Sequence, residues 1–135
     1  MFVMNITKMA YHEPRPFMYN DIIMPYGCSN EYGNPSGHSI FAGAFNFFFF
    51  LDCQYGARAE TINKVRYSIA LFFAITLTVL IGYARIYVGV HTYNQVLYGW
   101  IWGVWLAFYF HICIREHIIA HITSITHSSK QVDFK

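Results

Sequence analysis

The feature that most limits how this chain can fold is an uncharged run between Arg66 and Arg85. Residues 67–84 contain only apolar, aromatic, small and hydroxyl side chains. As a helix they would rise about 27 Å, close to the ~30 Å hydrocarbon core of a bilayer. A second uncharged run covers residues 95–114, and a shorter apolar run, residues 39–51 within the segment 38–53, ends at Asp52. The sequence therefore predicts three membrane spans, at 38–53, 67–84 and 95–114.

Composition supports a membrane protein and argues against a nucleic-acid-binding one. The 135 residues are 56% hydrophobic and only 12% charged, where a soluble domain carries roughly 25% charged residues. The net charge of +2 is too small to attract a phosphate backbone, so we expect no nucleic-acid partner. We predict one all-α domain over 1–135, a polytopic membrane helical bundle whose partner is the lipid bilayer. A soluble helical core is the alternative.

The order of the segments along the chain divides them between two faces. Residues 1–37 contain all four prolines, which predicts a long structured loop, and 115–135 form a polar tail. The loop and the turn at 85–94 fall on one face, and the 52–66 connector and the tail fall on the other. Six of the nine Lys and Arg residues lie on this second face, which the positive-inside rule assigns to the cytosol. The first face is then lumenal or extracellular, most simply in the endoplasmic reticulum or another endomembrane.

The tetrapeptide Pro35-Ser36-Gly37-His38 stands at the start of the first span. The free N–H groups of a helix's first turn form an anion site. Gly37 allows a phosphate close to the backbone, the Ser36 hydroxyl adds a donor, and His38 is placed to protonate a leaving oxygen. The alternative is an ordinary helix cap with a histidine at the membrane interface.

A second group of candidate residues lies on the same face, between the last two spans. Arg85 is a forked donor suited to a phosphoryl group. His91 and Gln95 are four residues apart, so the Gln95 carbonyl can accept a hydrogen bond from one ring nitrogen and direct the other towards a substrate. Lys8 and Arg15 add two cations from the loop. The alternative for this segment is a helix boundary with a snorkelling arginine.

These three pieces together resemble the type 2 phosphatidic acid phosphatase superfamily of membrane phosphatases, which is related to the vanadium haloperoxidases. The superfamily motifs are K-x6-R-P, P-S-G-H and S-R-x5-H-x3-D. The corresponding segments of this chain are Lys8-x6-Arg15-Pro16, Pro35-Ser36-Gly37-His38 and Ala84-Arg85-x5-His91-x3-Gln95.

The resemblance implies a two-step phosphoryl transfer. His91 would attack phosphorus to form a phosphohistidine, and His38 would protonate the departing oxygen. The phosphate oxygens would be held by Lys8, Arg15, Ser36, Gly37 and Arg85. No cofactor and no metal are implied. His117 and His121, one helical turn apart, have no third ligand at a suitable spacing, so they do not change that expectation.

Two positions differ from the superfamily motif. Ala84 replaces the motif serine, and Gln95 replaces the aspartate that orients the nucleophile. Glutamine at this position also occurs in the dolichyl diphosphate phosphatases, which this chain resembles most, and in the glucose-6-phosphatases. The resemblance therefore implies a phosphorylated lipid, polyprenol or sugar as the substrate, with a lean towards polyprenyl diphosphate. The alternative is a noncatalytic membrane scaffold subunit that retains the phosphatase fold.

The resemblance also implies how many membrane spans the complete bundle contains. In the superfamily, the K-x6-R-P motif follows a third span, and three further spans come after P-S-G-H. The three later spans match this sequence. We therefore expect 1–135 to be the second half of a six-span bundle, completed by upstream helices or by partner helices from another subunit.

Overall fold

The computed structural model describes residues 2–27, 30–56 and 64–132, with side chains as far as Gln54 in the second range and Thr126 in the third. All regular structure within these ranges is helical, which confirms the all-α prediction. A short 3₁₀ turn, Pro16–Met18, is accompanied by five α-helices. They are α1 (Phe2–Tyr11), α2 (Gly37–Gly56), α3 (Lys64–Tyr87), α4 (Tyr93–Tyr109) and α5 (Arg115–Val132).

The predicted membrane spans all fall on helices. Among the described residues, two helical stretches are long and apolar enough to cross a bilayer, Lys64–Tyr87 and Tyr93–Thr126. They contain the predicted spans 67–84 and 95–114. The remaining predicted span, 38–53, lies within α2. The chain is therefore a polytopic membrane helical bundle, as the apolar runs predict.

The prediction of a loop over residues 1–37 is wrong at its N-terminal end, where residues 2–11 form α1. All four prolines follow this helix, and no glycine lies within it, so nothing interrupts its hydrogen bonds. The Thr7 hydroxyl donates to the carbonyl of Val3 at 2.8 Å. The helix ends at Tyr11, and His12 has a positive φ of 47°. Lys8 thus lies in the last turn of a helix.

The polar tail predicted at 115–135 is helical as far as Val132. α4 continues through a π-helical turn, Phe110–Ile114, directly into α5. No glycine or proline follows Gly103, so the sequence contains no helix breaker there. Residues 57–63 and 133–135, which include part of the predicted 52–66 connector, Arg58 and Lys135, lie outside the described residues.

Small residues let α2 and α4 approach each other closely. A Cβ atom at Gly103 would lie 2.4 Å from the Ile40 carbonyl oxygen, and one at Gly99 would lie 2.6 Å from Ser39 Cβ. The four-residue spacing of these glycines predicts this packing. The contact brings the first turn of α2 beside the first turn of α4.

α3 packs against both of these helices. A Cβ atom at Gly82 would lie 2.4 Å from the Trp100 ring, and the Trp100 indole N–H donates to the Thr78 carbonyl at 3.2 Å. Asn46 of α2 donates to the Thr78 hydroxyl at 3.1 Å. These contacts fix α3 along the bundle, so its C-terminal Arg85 lies near the start of α4.

Candidate active site

A cavity of about 720 Å³ opens where the starts of α2 and α4 meet the end of α3. Six of its lining residues carry ionisable side chains, and the same wall includes the backbone of Gly37. The six are Lys8, Arg15, Glu31, His38, Arg85 and His91. Residues from four separate segments of the chain are thus gathered around one space.

His91 is buried, with 4% of its surface exposed, and Gln95 holds it on one side. The Gln95 Oε1 atom lies 3.1 Å from His91 Nδ1 and accepts from the Thr92 backbone N–H at 3.2 Å. The Gln95 Nε2 atom donates to the Pro14 carbonyl at 3.0 Å. A donor at Thr92 and an acceptor at Pro14 allow only one orientation of the carboxamide. The carboxamide oxygen therefore faces His91, and Nδ1 carries the proton.

This arrangement leaves the other ring nitrogen of His91 without a proton. Nε2 lies 3.4 Å from Nη1 of Arg15, a cation that can only donate. In the neutral imidazole, one nitrogen is a donor and the other has a free lone pair. The lone pair of His91 is therefore on Nε2, beside a guanidinium.

Burial, followed by the charge of Arg15, lowers the pKa of His91 to about 4, and the hydrogen bond to Gln95 partly opposes this shift. The imidazole is consequently neutral at physiological pH. Desolvation by burial also lowers the pKa of Arg15.

Gln95 also ties the first helical turn of α4 to the loop. Its backbone N–H bonds to the Thr92 hydroxyl at 3.3 Å, which completes a capping box at the start of α4. A Cβ atom at Gly33 would lie 2.6 Å from both terminal atoms of the Gln95 side chain. Only glycine fits here, because Gln95 is fully buried and cannot move aside.

The three predicted cations reach the cavity from different elements. Arg15 is 5% exposed, and it donates to the carbonyls of Glu31 at 2.9 Å and Val90 at 3.3 Å. Lys8 is also buried. The Nε atom of Arg85 is buried with no hydrogen-bond partner in the described part of the chain. An unpaired buried donor is costly, and an anion in the cavity would satisfy it.

The Pro-Ser-Gly-His segment divides its residues between the cavity and the helix interface. Gly37 and His38 line the cavity in the first turn of α2. Ser36, predicted to bind phosphate, is fully buried, and its hydroxyl accepts a hydrogen bond from Ser39 at 3.0 Å. The Ser36 backbone N–H donates to the Gln95 carbonyl at 2.9 Å. Ser36 therefore joins α2 to α4 and does not line the cavity.

Glu31 is a cavity residue that the sequence analysis did not identify. Its carboxylate lies 2.5 Å from the Lys8 ammonium, and its backbone carbonyl binds Arg15. The ammonium lowers the pKa of Glu31. In the sequence, Glu31 is recognisable only as an acidic residue shortly before the Pro-Ser-Gly-His segment. Its partner, Lys8, is 23 residues away, so the sequence does not indicate that the two residues pair.

The part of the chain that the structure describes contains no group of three or more His, Cys, Asp or Glu residues arranged to hold a metal ion. The cavity instead combines three cations, a helix N-terminus and two histidines, with one carboxylate. Such a set of groups suits a phosphoryl group.

Comparison with known proteins agrees with this chemistry. The family model of the PAP2 superfamily matches residues 1–119. An undecaprenyl-diphosphatase of Sulfolobus acidocaldarius is 28% identical over 104 residues, which cover 76% of this chain and 44% of that protein. Dolichyldiphosphatase 1 of Homo sapiens is 33% identical over 117 residues, covering 82% of this chain and 47% of the human protein.

The same protein of Rhinolophus ferrumequinum is 34% identical over 114 residues, covering 76% of this chain and 45% of the bat protein. The chain thus spans about half the length of the curated relatives it matches. No solved structure gives a significant match. Because the family model covers most of the sequence, the chain belongs to the PAP2 superfamily, the type 2 phosphatidic acid phosphatases.

Proposed function

We propose that this chain is a membrane lipid phosphatase that hydrolyses a polyprenyl diphosphate through a phosphohistidine intermediate, without a metal ion. The observation that carries the proposal is the neutral, oriented His91, whose Nε2 lone pair shares a cavity with three cations. The names of the relatives, undecaprenyl-diphosphatase and dolichyldiphosphatase, support the substrate class.

In the first step, His91 Nε2 forms a bond to the terminal phosphorus, and the bond from phosphorus to the leaving oxygen breaks. His38 gives its proton to that oxygen. In the second step, water attacks the phosphohistidine, His38 takes a proton from the water, and the Nε2–P bond breaks. Orthophosphate leaves and both histidines return to their starting states. Gln95 keeps the proton on Nδ1, so Nε2 remains the nucleophile throughout.

The negative charge on the phosphoryl oxygens is balanced by Lys8, Arg15 and Arg85. The backbone N–H groups of the first turn of α2, beginning at Gly37, add a helix N-terminus to this cradle. Preorganised donors of this kind stabilise the charge of a phosphoryl-transfer transition state. The Nε atom of Arg85, which has no partner among the described residues, supports a direct contact with the phosphoryl group. Ser36 has a supporting role, because it is fully buried between α2 and α4 and does not line the cavity.

The rest of the cavity wall favours a lipid substrate over a sugar phosphate. Ile40, Phe41 and Ala44 of α2 and Leu106 of α4 extend the lining away from the histidines. A phosphoryl group beside His38 would place the attached chain along these apolar side chains. A sugar would instead leave its hydroxyl groups against them without partners.

We also place the cavity on the lumenal face of the endoplasmic reticulum or a related endomembrane. Lys64, Arg66 and Arg115 lie near the opposite end of the bundle, which the positive-inside rule directs to the cytosol. Short tags that report protease protection in sealed microsomes, placed after Ile22, an exposed loop residue outside the cavity lining, or at the C-terminus, would test this orientation.

The catalytic proposal is tested by phosphate release from matched substrates in detergent micelles. The wild-type chain should release phosphate fastest from polyprenyl diphosphate, more slowly from phosphatidate, and most slowly from a sugar phosphate. His91→Ala should release none. A noncatalytic scaffold subunit would give the same background rate for the wild type and for His91→Ala with all three substrates.

A further inference from the structure

Lys8 and Glu31 form an ion pair at the cavity wall between two very unequally exposed side chains. The Nζ and Oε2 atoms lie 2.5 Å apart, and the exposed fraction is 9% for the Lys8 side chain and 65% for that of Glu31. Both residues line the cavity. The ammonium is thus fixed inside the protein, while the carboxylate reaches it from the solvent side.

The two contacts that Glu31 makes with cavity cations differ in kind. Lys8 is bound by the side-chain carboxylate, whereas Arg15 is bound by the backbone carbonyl of Glu31, 2.9 Å from Nε. A change to the side chain therefore removes the charge that faces Lys8 and that also acts on Arg15 at longer range, and it leaves the hydrogen bond from Arg15 to the backbone in place. The effect of the carboxylate charge can therefore be tested without breaking the hydrogen bond between Arg15 and the Glu31 backbone.

A phosphoryl oxygen that binds Lys8 would need the position now held by the Glu31 carboxylate. Both are anionic oxygens that accept from an ammonium, and two anions on one buried cation repel each other. Lys8 cannot withdraw into solvent, because it is buried in the last turn of α1. Glu31 can withdraw, because most of its side chain is already hydrated, so moving away costs it little solvation.

We propose that Glu31 is a displaceable internal anion, which binds Lys8 when the cavity is empty, moves off when a phosphoryl group enters, and returns to promote release of orthophosphate. This inference rests on the proposed function only in taking a phosphoryl group as the ligand. It makes Glu31 a positioning residue that sets how tightly the product is held.

Binding of inorganic phosphate to the whole chain in detergent micelles, measured by isothermal titration calorimetry, tests the inference without turnover. Glu31→Gln has the same shape, and its amide oxygen still accepts from Lys8, so only the charge is removed. Asp21→Asn is the matched control. It removes one exposed negative charge from the same loop, at a residue that does not line the cavity.

We expect Glu31→Gln to lower the dissociation constant for phosphate about 3- to 10-fold, the range for losing one partly exposed competing ion pair. Asp21→Asn should leave it unchanged. Unchanged or weaker binding in Glu31→Gln, equal tightening in both variants, or no phosphate binding by any of the three proteins would overturn the inference.

The same experiment separates this inference from the proposed function. If the wild type fails to hydrolyse polyprenyl diphosphate and Glu31→Gln still binds phosphate more tightly, only the activity is wrong. If the wild type is active and Glu31→Gln has unchanged phosphate affinity, only the role of Glu31 is wrong.

Discussion

The Gln95 Oε1 atom lies 3.1 Å from Nδ1 of His91, and the Gln95 Nε2 atom is bound to the carbonyl of Pro14, 81 residues earlier in the chain. The loop therefore sets the orientation of the amide, and the amide sets the tautomer of the histidine. A neutral glutamine performs this task without adding a negative charge that would favour the imidazolium. Burial and the charge of Arg15 lower the pKa of His91 to about 4, and the hydrogen bond to Gln95 only partly opposes this shift.

Gln95→Leu should lower phosphate release from the proposed substrate by about 10²-fold or more, because His91 loses its orienting acceptor. It should also destabilise the bundle by about 1–3 kcal/mol, since the Pro14 carbonyl and the Thr92 N–H lose a buried partner. Thr92→Ala is the control. It removes the N-cap hydroxyl of α4, at a cost of about 1 kcal/mol, and should retain most of the activity. Equal activity losses in the two variants would show that Gln95 acts only through stability.

The two cavity histidines should respond differently to the leaving group. His91→Ala should abolish phosphate release from every substrate, because the nucleophile is gone. His38→Ala should slow formation of the phosphohistidine from an alkyl phosphate by about 10²- to 10⁴-fold, and it should largely spare its formation from nitrophenyl phosphate, whose leaving group needs no proton. His117→Ala, in α5 and away from the cavity, serves as control. Wild-type turnover by His91→Ala would rule out the covalent mechanism.

Activity should persist in excess EDTA and be inhibited by vanadate, because the proposed phosphoryl site consists of cationic side chains and a helix N-terminus. Arg85→Gln should raise the vanadate concentration for half-inhibition by about 10-fold or more, the effect of losing a charged hydrogen bond. Arg66→Gln, exposed at the start of α3, should not change it. Loss of activity on chelation that a divalent ion restores would contradict the prediction.

The protonation of His91 can be followed directly by NMR with labelled histidine in micelles. Because its folded-state pKa is about 4, well below the ordinary 6.5, the ring should remain neutral as the pH falls from 7 to 5. Arg15→Gln should raise the pKa of His91, since the Arg15 charge opposes protonation, but only partly, because burial is the larger cause. A wild-type His91 that titrates near 6.5 would be incompatible with this structure.

Gly103→Ala should destabilise the bundle even though alanine is the better helix former by about 1 kcal/mol. The new methyl group would meet the Ile40 carbonyl oxygen at 2.4 Å, and separating α2 from α4 costs about 1–3 kcal/mol. Thermal unfolding in micelles measures the difference. Gly27→Ala, at a position with no atom within 4 Å of the added methyl group, should leave the unfolding temperature unchanged.

Hydrophobic runs and motif spacing were enough to predict the class of fold and to select five of the six ionisable residues that line the cavity, all except Glu31. Long apolar runs must be buried or placed in lipid, so the helices at 38–53, 67–84 and 95–114 follow from the pattern of the sequence alone. The order of the motifs along three successive spans then places Lys8, His38 and His91 towards one end of the bundle. Neither step depends on the details of packing.

Only the tertiary structure determines which contacts and hydrogen bonds these residues make with one another. The sequence did not predict α1, because the prolines that follow it dominated the prediction for 1–37. It did not show that Ser36 is enclosed between α2 and α4, or that Glu31 binds Lys8 from 23 residues away. It also did not fix the tautomer of His91, which depends on the Pro14 carbonyl. Hydrophobic periodicity records which face of a helix is buried, whereas hydrogen bonds between distant loops form only after the helices have packed.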